Sequence, residues 1–444
     1  MKKLFKKLIP KRILNLKHLF FAWYGAVKYK NPSEELLVIG ITGTSGKSTT
    51  AYLLRQLLEQ AGFVVGALST IDFYVAGQDK LNDTKMTMLG RTAIQKYLRE
   101  MVNKKCDIAI VETTSEGIIQ YRHRFINYDY VLLTNLYPEH IESHGNFENY
   151  KNAKLKLFKY TANGKIKILK GEKIEKKVFV NENIEQAQEF VNFNFSKKIG
   201  FGKKGEKVFA ENLDKEFVLS NIKTTTNGLD FQINDERLNT SLFGEHNALN
   251  ILSAISVARE LKIDWSKIKK AVKNFDGVPG RIEFIKESES FGFQVIVDYA
   301  FEPVALKSLY KVVKILNPKR VIHVCGSAGG GRDKSRREPI GKIVGKSADV
   351  CIVTNEDPYD EDPMEIIKQV SAGAKKVGKK LNNDLFEILD RGEAIQKAVD
   401  LTKKGDLILV TGKGSEQAIV VANGEKILWD DRDAIRKSLN KKKI

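Results

Sequence analysis

Three cysteines in 444 residues are too few and too scattered to carry a fold. Cys106, Cys325 and Cys351 form no CxxC pair, which excludes a disulfide scaffold and a paired-thiolate zinc site. Their apolar surroundings predict buried, reduced thiols in a cytoplasmic enzyme. Long apolar runs are also missing. Residues 19–27, LFFAWYGAV, fall well short of the roughly 20 needed to cross a bilayer, and no convincing cleavage site marks a secretory signal. Acidic residues are absent from positions 1–33, which hold nine Lys/Arg. Apolar residues from Leu4 and Phe5 to Leu14 and Leu16 interleave with these charges. Two readings of this segment stay open: a helix lying on an anionic membrane surface through residues 1–30, or a helix packed on the body. The remaining excess of the +19 net charge is spread over most of the chain without a nucleic-acid-binding signature. It predicts a solvated basic surface and anionic substrates, with no nucleic-acid partner.

The length allows two large domains or about three of ordinary size. From residue 35 onward, short unbroken apolar runs alternate with helical patterns: ELLVIGIT at 35–42, DIAIVE at 107–112 and YVLLTN at 130–135. Such runs predict strands buried on both faces of a mainly parallel sheet. The stretch STTAYLLRQLLEQAG places Leu53, Leu54, Leu57, Leu58 and Ala61 on one helical face, with Gly62 as the stop. Between about 165 and 243 the runs become short and alternating, which predicts antiparallel strands appended to the first domain. The Gly/Pro-rich joint DGVPGRIE at 276–283 predicts a boundary. The resulting expectation is α/β throughout: a basic segment 1–35, a central P-loop ATPase domain 36–276 with a mainly parallel sheet, and a C-terminal Rossmann-like α/β domain 277–444.

GITGTSGKSTT, residues 40–50, sits between an apolar strand and a helix. Gly43, Thr44, Ser45 and Gly46 are placed to turn backbone N–H groups toward phosphates at a helix N-terminus, followed by Thr49. Lys47 supplies a positive charge to the outer phosphates and Ser48 a hydroxyl for Mg²⁺. Ile41 stands where the commonest form of this loop has its first glycine. Glu112 closes an apolar strand, where a carboxylate is placed for Mg²⁺. Lys154 falls in a helical pattern, and composition alone reads it as a surface lysine.

Nine motifs, in order, then resemble the Mur ligase family: GITGTSGKSTT, LTNLYPEHIESHG…AK, FGEHNALN, VPGRIE, VDYA, GGGRDKSRREPIG, NEDP, DRGEAI and TGKGSE, over about residues 36–440. They are most similar to the branch that adds the third residue to UDP-N-acetylmuramyl-dipeptide in peptidoglycan synthesis. In this family Ile41 is ordinary, since GTxGK[ST]T is its own loop. The resemblance implies an ATP-dependent, ADP-forming ligase. It phosphorylates a substrate carboxylate and lets the amino group of an incoming amino acid attack the acyl phosphate. By carry-over, Lys47 and the loop hold ATP, and Ser48, Glu112 and His140 hold Mg²⁺. Lys154 becomes a carbamylated lysine that organises metal or phosphate. Asn247 and Asn250 lie near the adenine, Arg281 reaches the phosphates, and Asp298 contacts the ribose or phosphate side. Thr87, Arg332, Asp357, Lys413 and Glu416 face the substrates, Glu416 serving the incoming amino group.

Departures fall on substrate recognition. Phe301 replaces the histidine of the family's VDYAH, and Thr114-Ser115-Glu116 replaces Ser-Ser-His. Asp357-Pro358-Tyr359 replaces Asn-Pro-Arg, removing the fork that reads a distal carboxylate on the amino acid. The Thr-rich substrate loop reads DTKMTML at 83–89. Only about 35 residues precede the first core strand, too few for the family's UDP-gripping domain. The same chemistry on another carboxylate (a non-UDP glycopeptide, a folate-type chain or a polypeptide) therefore stays open beside the leading expectation, as does a P-loop module without catalysis.

Overall fold

The computed structural model describes residues 11–82, 84, 86–138 and 144–442. His140 lies outside them. The chain forms two compact units. The first runs to residue 223 and adds 229–240 and 245–275, and the second takes 224–228, 241–244 and everything from 276.

Unbroken apolar runs become strands wherever both faces are covered. In the first unit these are β1 Leu37–Thr42, β2 Val65–Leu68, β3 Asp72–Val75, β4 Gln78–Leu81, β5 Ile108–Glu112 and β6 Tyr130–Leu133. After a small hairpin, β7 Lys167–Leu169 with β8 Glu172–Ile174, come β9 Lys177–Asn181, β10 Lys197–Lys203, β11 Lys215–Thr225, β12 Gly228–Ile233 and β13 Glu236–Thr240. Among the described residues they build a sheet in the order β13-β12-β11-β10-β9-β6-β1-β5-β2-β3-β4. Every residue of β1, β5, β6 and β9 is buried, as strands between two helical layers require.

The segment 165–243 corrects the sequence reading. The hairpins β7–β8 and β12–β13 are antiparallel as expected, whereas β9 joins β6, β10 joins β9 and β11 joins β10 in parallel. Short alternating pieces suit a half-exposed meander, but this stretch extends the central sheet because the helix Glu245–Glu260 packs on β9 and β10.

Five helices position or flank the site: α1 Lys11–Lys28, α2 Lys47–Gln60, α3 Arg91–Asn103, α4 Phe147–Ala162 and α5 Glu245–Glu260. Helix α2 buries more than the leucine face read from sequence. Thr49, Thr50, Arg55 and Gln56 are buried as well, because α5 covers the side turned from the sheet. Arg55 is compensated by Asp72 at 3.5 Å and by the Tyr74 ring 3.8 Å from its guanidinium carbon.

The second unit has β14 Glu283–Phe284, β15 Gln294–Asp298, β16 Val321–Cys325, β17 Val350–Thr354, β18 Leu385–Ile388 and β19 Leu407–Thr411, in the order β14-β15-β19-β16-β17-β18. All pairings but β14–β15 are parallel. Inserting β19 between β15 and β16 makes this a doubly wound sheet, whose carboxyl ends are the usual ligand edge. The pair β20 Ala418–Val420 and β21 Lys426–Leu428 follows β19. All three cysteines are free and buried. Burial pushes the Cys106 thiol up to about 11 and Cys351 up to about 12, so neither is a thiolate at neutral pH.

Candidate active site

In the first unit the candidate residues meet at the carboxyl ends of β1, β2, β5 and β6. The phosphate loop follows β1, and Gly46 caps α2 with φ +76°, a left-handed conformation suited to glycine. A Cβ there would lie 2.4 Å from Asn250 Oδ1, so the side chain of α5 fixes how small this residue must be. Lys47 Nζ donates to the carbonyls of Thr44 (2.8 Å) and Gly43 (3.1 Å). Lys154 is 1% exposed and also donates to the Gly43 carbonyl, at 2.8 Å, with its ammonium 4.5 Å from the Tyr150 ring centre. The surface-lysine reading is therefore overturned. Helix α4 turns this residue inward onto the loop.

Ser48 Oγ donates to Glu112 Oε1 at 3.1 Å, and both are buried. Thr70 donates to the other oxygen, Oε2, twice: from its N–H at 2.8 Å and its hydroxyl at 3.0 Å. The Thr70 hydroxyl also lies 3.0 Å from Thr87 Oγ1, which ties the substrate-loop candidate to the carboxylate. A hydroxyl beside a carboxylate, with oxygen donors only, fits a hard cation such as Mg²⁺. Among the described residues no group of three or more His, Cys, Asp or Glu forms a metal cluster, so the phosphates and water would complete such a site.

Asn135 organises the loop and was not singled out from sequence. Its Oδ1 accepts from the N–H groups of Thr44 (3.1 Å) and Ser45 (2.8 Å), and its Nδ2 donates to Ser45 Oγ (3.0 Å). These two amides are thus engaged within the loop. Thr134 Oγ1 donates to the Ser45 carbonyl and Tyr150 OH to Thr44 Oγ1. Asn247 Oδ1 accepts from Asn250 Nδ2 at 3.1 Å, so both asparagines back the junction of loop and helix. Thr70 and Asn135 carried one signal: each directly follows a strand of the parallel sheet or lies within two residues of its end.

The second unit gathers its candidates at the same edge of its own sheet. Lys413 is fully buried and donates to Asp357 Oδ1 at 2.9 Å and Glu416 Oε2 at 2.6 Å. Tyr299 OH donates to Glu416 Oε1 at 3.1 Å. Burial, reinforced by Glu416, holds the Tyr299 phenol protonated far above neutral pH. The Arg281 guanidinium stacks 4.1 Å from the Tyr299 ring centre, and Phe301 packs edge-on against that ring. Asp298 turns its oxygens to backbone, accepting from Ile282 N–H at 2.7 Å and Ala300 N–H at 2.8 Å. Burial draws the Arg332 guanidinium down, but a hydrogen bond with Tyr359 and the Glu416 carboxylate counter it and hold it charged. Tyr359 has φ +52° and lies so close to Gly330 that any Cβ there would meet its ring. The phenol that stands where the family has an arginine is thus engaged with Arg332 and the glycine loop.

Sharing of Glu112 makes Thr70 testable. Thr70→Val keeps the shape and removes the hydroxyl. It is expected to raise the Mg²⁺ concentration for half-maximal ATP turnover about tenfold, as loss of a metal-supporting contact does. An unchanged Mg²⁺ titration would remove Thr70 from the site.

A phosphate loop on a parallel sheet, backed by a carboxylate–hydroxyl cluster, defines a P-loop ATP-binding protein with a second α/β unit. The Mur ligase middle domain matches residues 41–258, and the Mur ligase glutamate ligase domain matches 280–414. The chain is 32% identical over 410 residues to the UDP-N-acetylmuramoyl-L-alanyl-D-glutamate--2,6-diaminopimelate ligase of Clostridium tetani, covering 92% of this chain and 78% of that one. It is 33% identical to the UDP-N-acetylmuramyl-tripeptide synthetase of Borreliella burgdorferi over 95% of this chain and 80% of the relative. A solved structure of a UDP-N-acetylmuramoyl-L-alanyl-D-glutamate--2,6-diaminopimelate ligase superposes with a TM-score of 0.60 at 24% identity, covering 92% of this chain and 79% of that one. The chain belongs to the Mur ligase family and is an ATP-dependent, ADP-forming amide ligase.

Proposed function

We propose that the protein converts UDP-N-acetylmuramyl-dipeptide to the tripeptide in cytoplasmic peptidoglycan precursor synthesis. The observation that carries this reading is that each unit gathers a charged constellation suited to one half of the reaction. In the first unit, Lys47 and the amides opening α2 bind the ATP phosphates, where they stabilise charge moving onto the leaving oxygen. Ser48 and Glu112 would hold Mg²⁺, with His140 as a further ligand, and the ion would neutralise charge on the outer phosphates. The Lys154 amine, once deprotonated, adds CO₂ as a carbamate with loss of a proton, placing a negative group at the loop. Thr87 serves the acceptor substrate. Asn247 and Asn250 support the nucleotide site, and Asp298 and Arg281 add contacts to the nucleotide.

In the second unit Glu416 receives the amino group of the incoming amino acid. Lys413 holds Glu416 in place from Asp357, and Arg332 faces the amino acid's carboxylate. A carboxylate is a poor electrophile, and phosphorylation turns one of its oxygens into a leaving group. The amino group then attacks the carbonyl carbon, phosphate departs with the C–O bond electrons, and the amine gives up a proton. The names of the relatives support the acceptor, and Tyr359 argues for an amino acid that is read without the arginine fork. The test is the full chain with ATP, UDP-N-acetylmuramyl-dipeptide and a panel of amino acids. One amino acid is expected to give a tripeptide with one ADP per amide. Failure to bind UDP-N-acetylmuramyl-dipeptide would overturn the acceptor assignment while leaving the ligase class intact.

A further inference from the structure

Helix α1 is inverted relative to an ordinary surface helix, which turns its apolar stripe inward. Its small residues Ala22, Gly25 and Ala26 are buried against the body. The approach is close enough that a Cβ on Gly25 would lie 3.0 Å from Thr92 Cα of α3. Its large residues point the other way. At 3.6 residues per turn, Ile13, Leu16, Phe20, Trp23, Tyr24 and Val27 share one stripe. They are among the most exposed large apolar side chains of the described residues, Leu16 at 68% and Phe20 at 55%. Lys17 and Lys28 flank the stripe, the latter 5.8 Å from the Tyr24 ring centre.

A groove of about 1020 Å³ runs beside this helix, bordered by Asn15 of α1. Its charged lining is Arg124, Lys156, Lys159 and Lys165 against a single acid, Glu34. Over the described side chains of 13–33 the segment carries Lys17, Lys28 and Lys30 and no acid, so the charge beside the stripe is of one sign. Among the described residues no helix is long and apolar enough to cross a membrane.

We propose that the exposed face of α1, with the basic groove beside it, docks the protein onto an anionic phospholipid bilayer. Aromatic rings with an apolar body suit the boundary between headgroups and acyl chains, and the surrounding cations suit the negative surface potential. A second copy of the chain is the poorer occupant, because it would bring the same unbalanced positive charge against itself. This surface uses none of the residues assigned to catalysis, so its test and that of the reaction fail independently.

The experiment is co-sedimentation of the full chain with vesicles of phosphatidylcholine alone or with one-third phosphatidylglycerol. Partition onto the anionic vesicles is expected to exceed that onto neutral ones by about tenfold or more and to fall with added salt. The double variant Phe20→Ser/Trp23→Ser should lose about tenfold in partition while keeping its melting temperature and its ATP turnover with soluble substrates. Lys156→Glu/Lys159→Glu should lower binding to anionic vesicles and leave neutral-vesicle binding unchanged. Equal partition of parent and Phe20/Trp23 variant would overturn the proposal. So would a concentration-dependent dimer that the same variant abolishes, with no binding to either vesicle.

Discussion

Lys47→Ala is expected to reduce ATP-dependent amide formation by about a hundred- to a thousandfold, the usual loss when one preorganised charge leaves a phosphoryl-transfer site. In this structure the Lys47 side chain is half-buried and its ammonium rests on two neutral acceptors, the carbonyls of Thr44 and Gly43. The Gly43 carbonyl keeps its bond from Lys154. Melting temperature should therefore stay close to that of the parent while turnover collapses, and the loss should appear in kcat more than in KM for the amino acid. Lys47→Arg keeps the charge but not the compact ammonium and is expected to recover little. Amide formation persisting in Lys47→Ala would show that the loop is not where the phosphate is activated.

The second large effect is on stability, at Arg391. This side chain is almost wholly buried and pairs with Asp431 through Nε (2.7 Å) and Nη2 (2.8 Å). It also donates to the Thr411 carbonyl at 2.8 Å and the Asn355 carbonyl at 3.2 Å. Those carbonyls close β19 and follow β17, the two strands after which Lys413 and Asp357 emerge. Arg391→Ala leaves Asp431 buried without its cation and is expected to cost about 3–5 kcal/mol, read as a lower urea midpoint. Arg391→Lys should recover only part of this, because an ammonium cannot make the paired contact to Asp431 and reach both carbonyls. Residual activity of either variant should show a raised KM for the amino acid, since the segments bearing Asp357 and Lys413 lose a shared anchor. A midpoint unchanged in Arg391→Ala would contradict this account of how the second unit holds its site.

Much of the fold is legible in the chain because it is written in contiguous residues. The strands β1, β5, β6 and β19 read as unbroken apolar runs because every residue in them is buried. The phosphate loop is legible because strand, glycines, lysine and helix succeed one another without interruption. What is not legible is what the tertiary fold brings together. Thr70 and Glu112 are 42 residues apart, and Asn135 is about 90 residues from the loop amides it binds. Nothing local marks either partner. Lys154 looks solvent-facing in sequence because its flanks are mixed. Its burial comes from the way α4 lies against the loop, which no helical period reports. The stretch from β9 to β11 misleads for the converse reason: its short alternating runs are compatible with either direction of pairing, and direction is set by the connections and by α5. Helix α1 is a third case. Its periodicity is clear, but which stripe faces the body is decided by the close approach of Gly25 to α3.

The central claim is that the γ-phosphoryl group of ATP passes to a carboxylate oxygen of the acceptor before the amide forms. Acceptor labelled with ¹⁸O in that carboxylate, incubated with ATP, the amino acid and the full chain, tests it directly through the mass of the released phosphate. One ¹⁸O is expected in each phosphate formed and the other in the amide carbonyl, with no labelled phosphate when the amino acid or the acceptor is omitted. Unlabelled phosphate accompanying amide formation would contradict it.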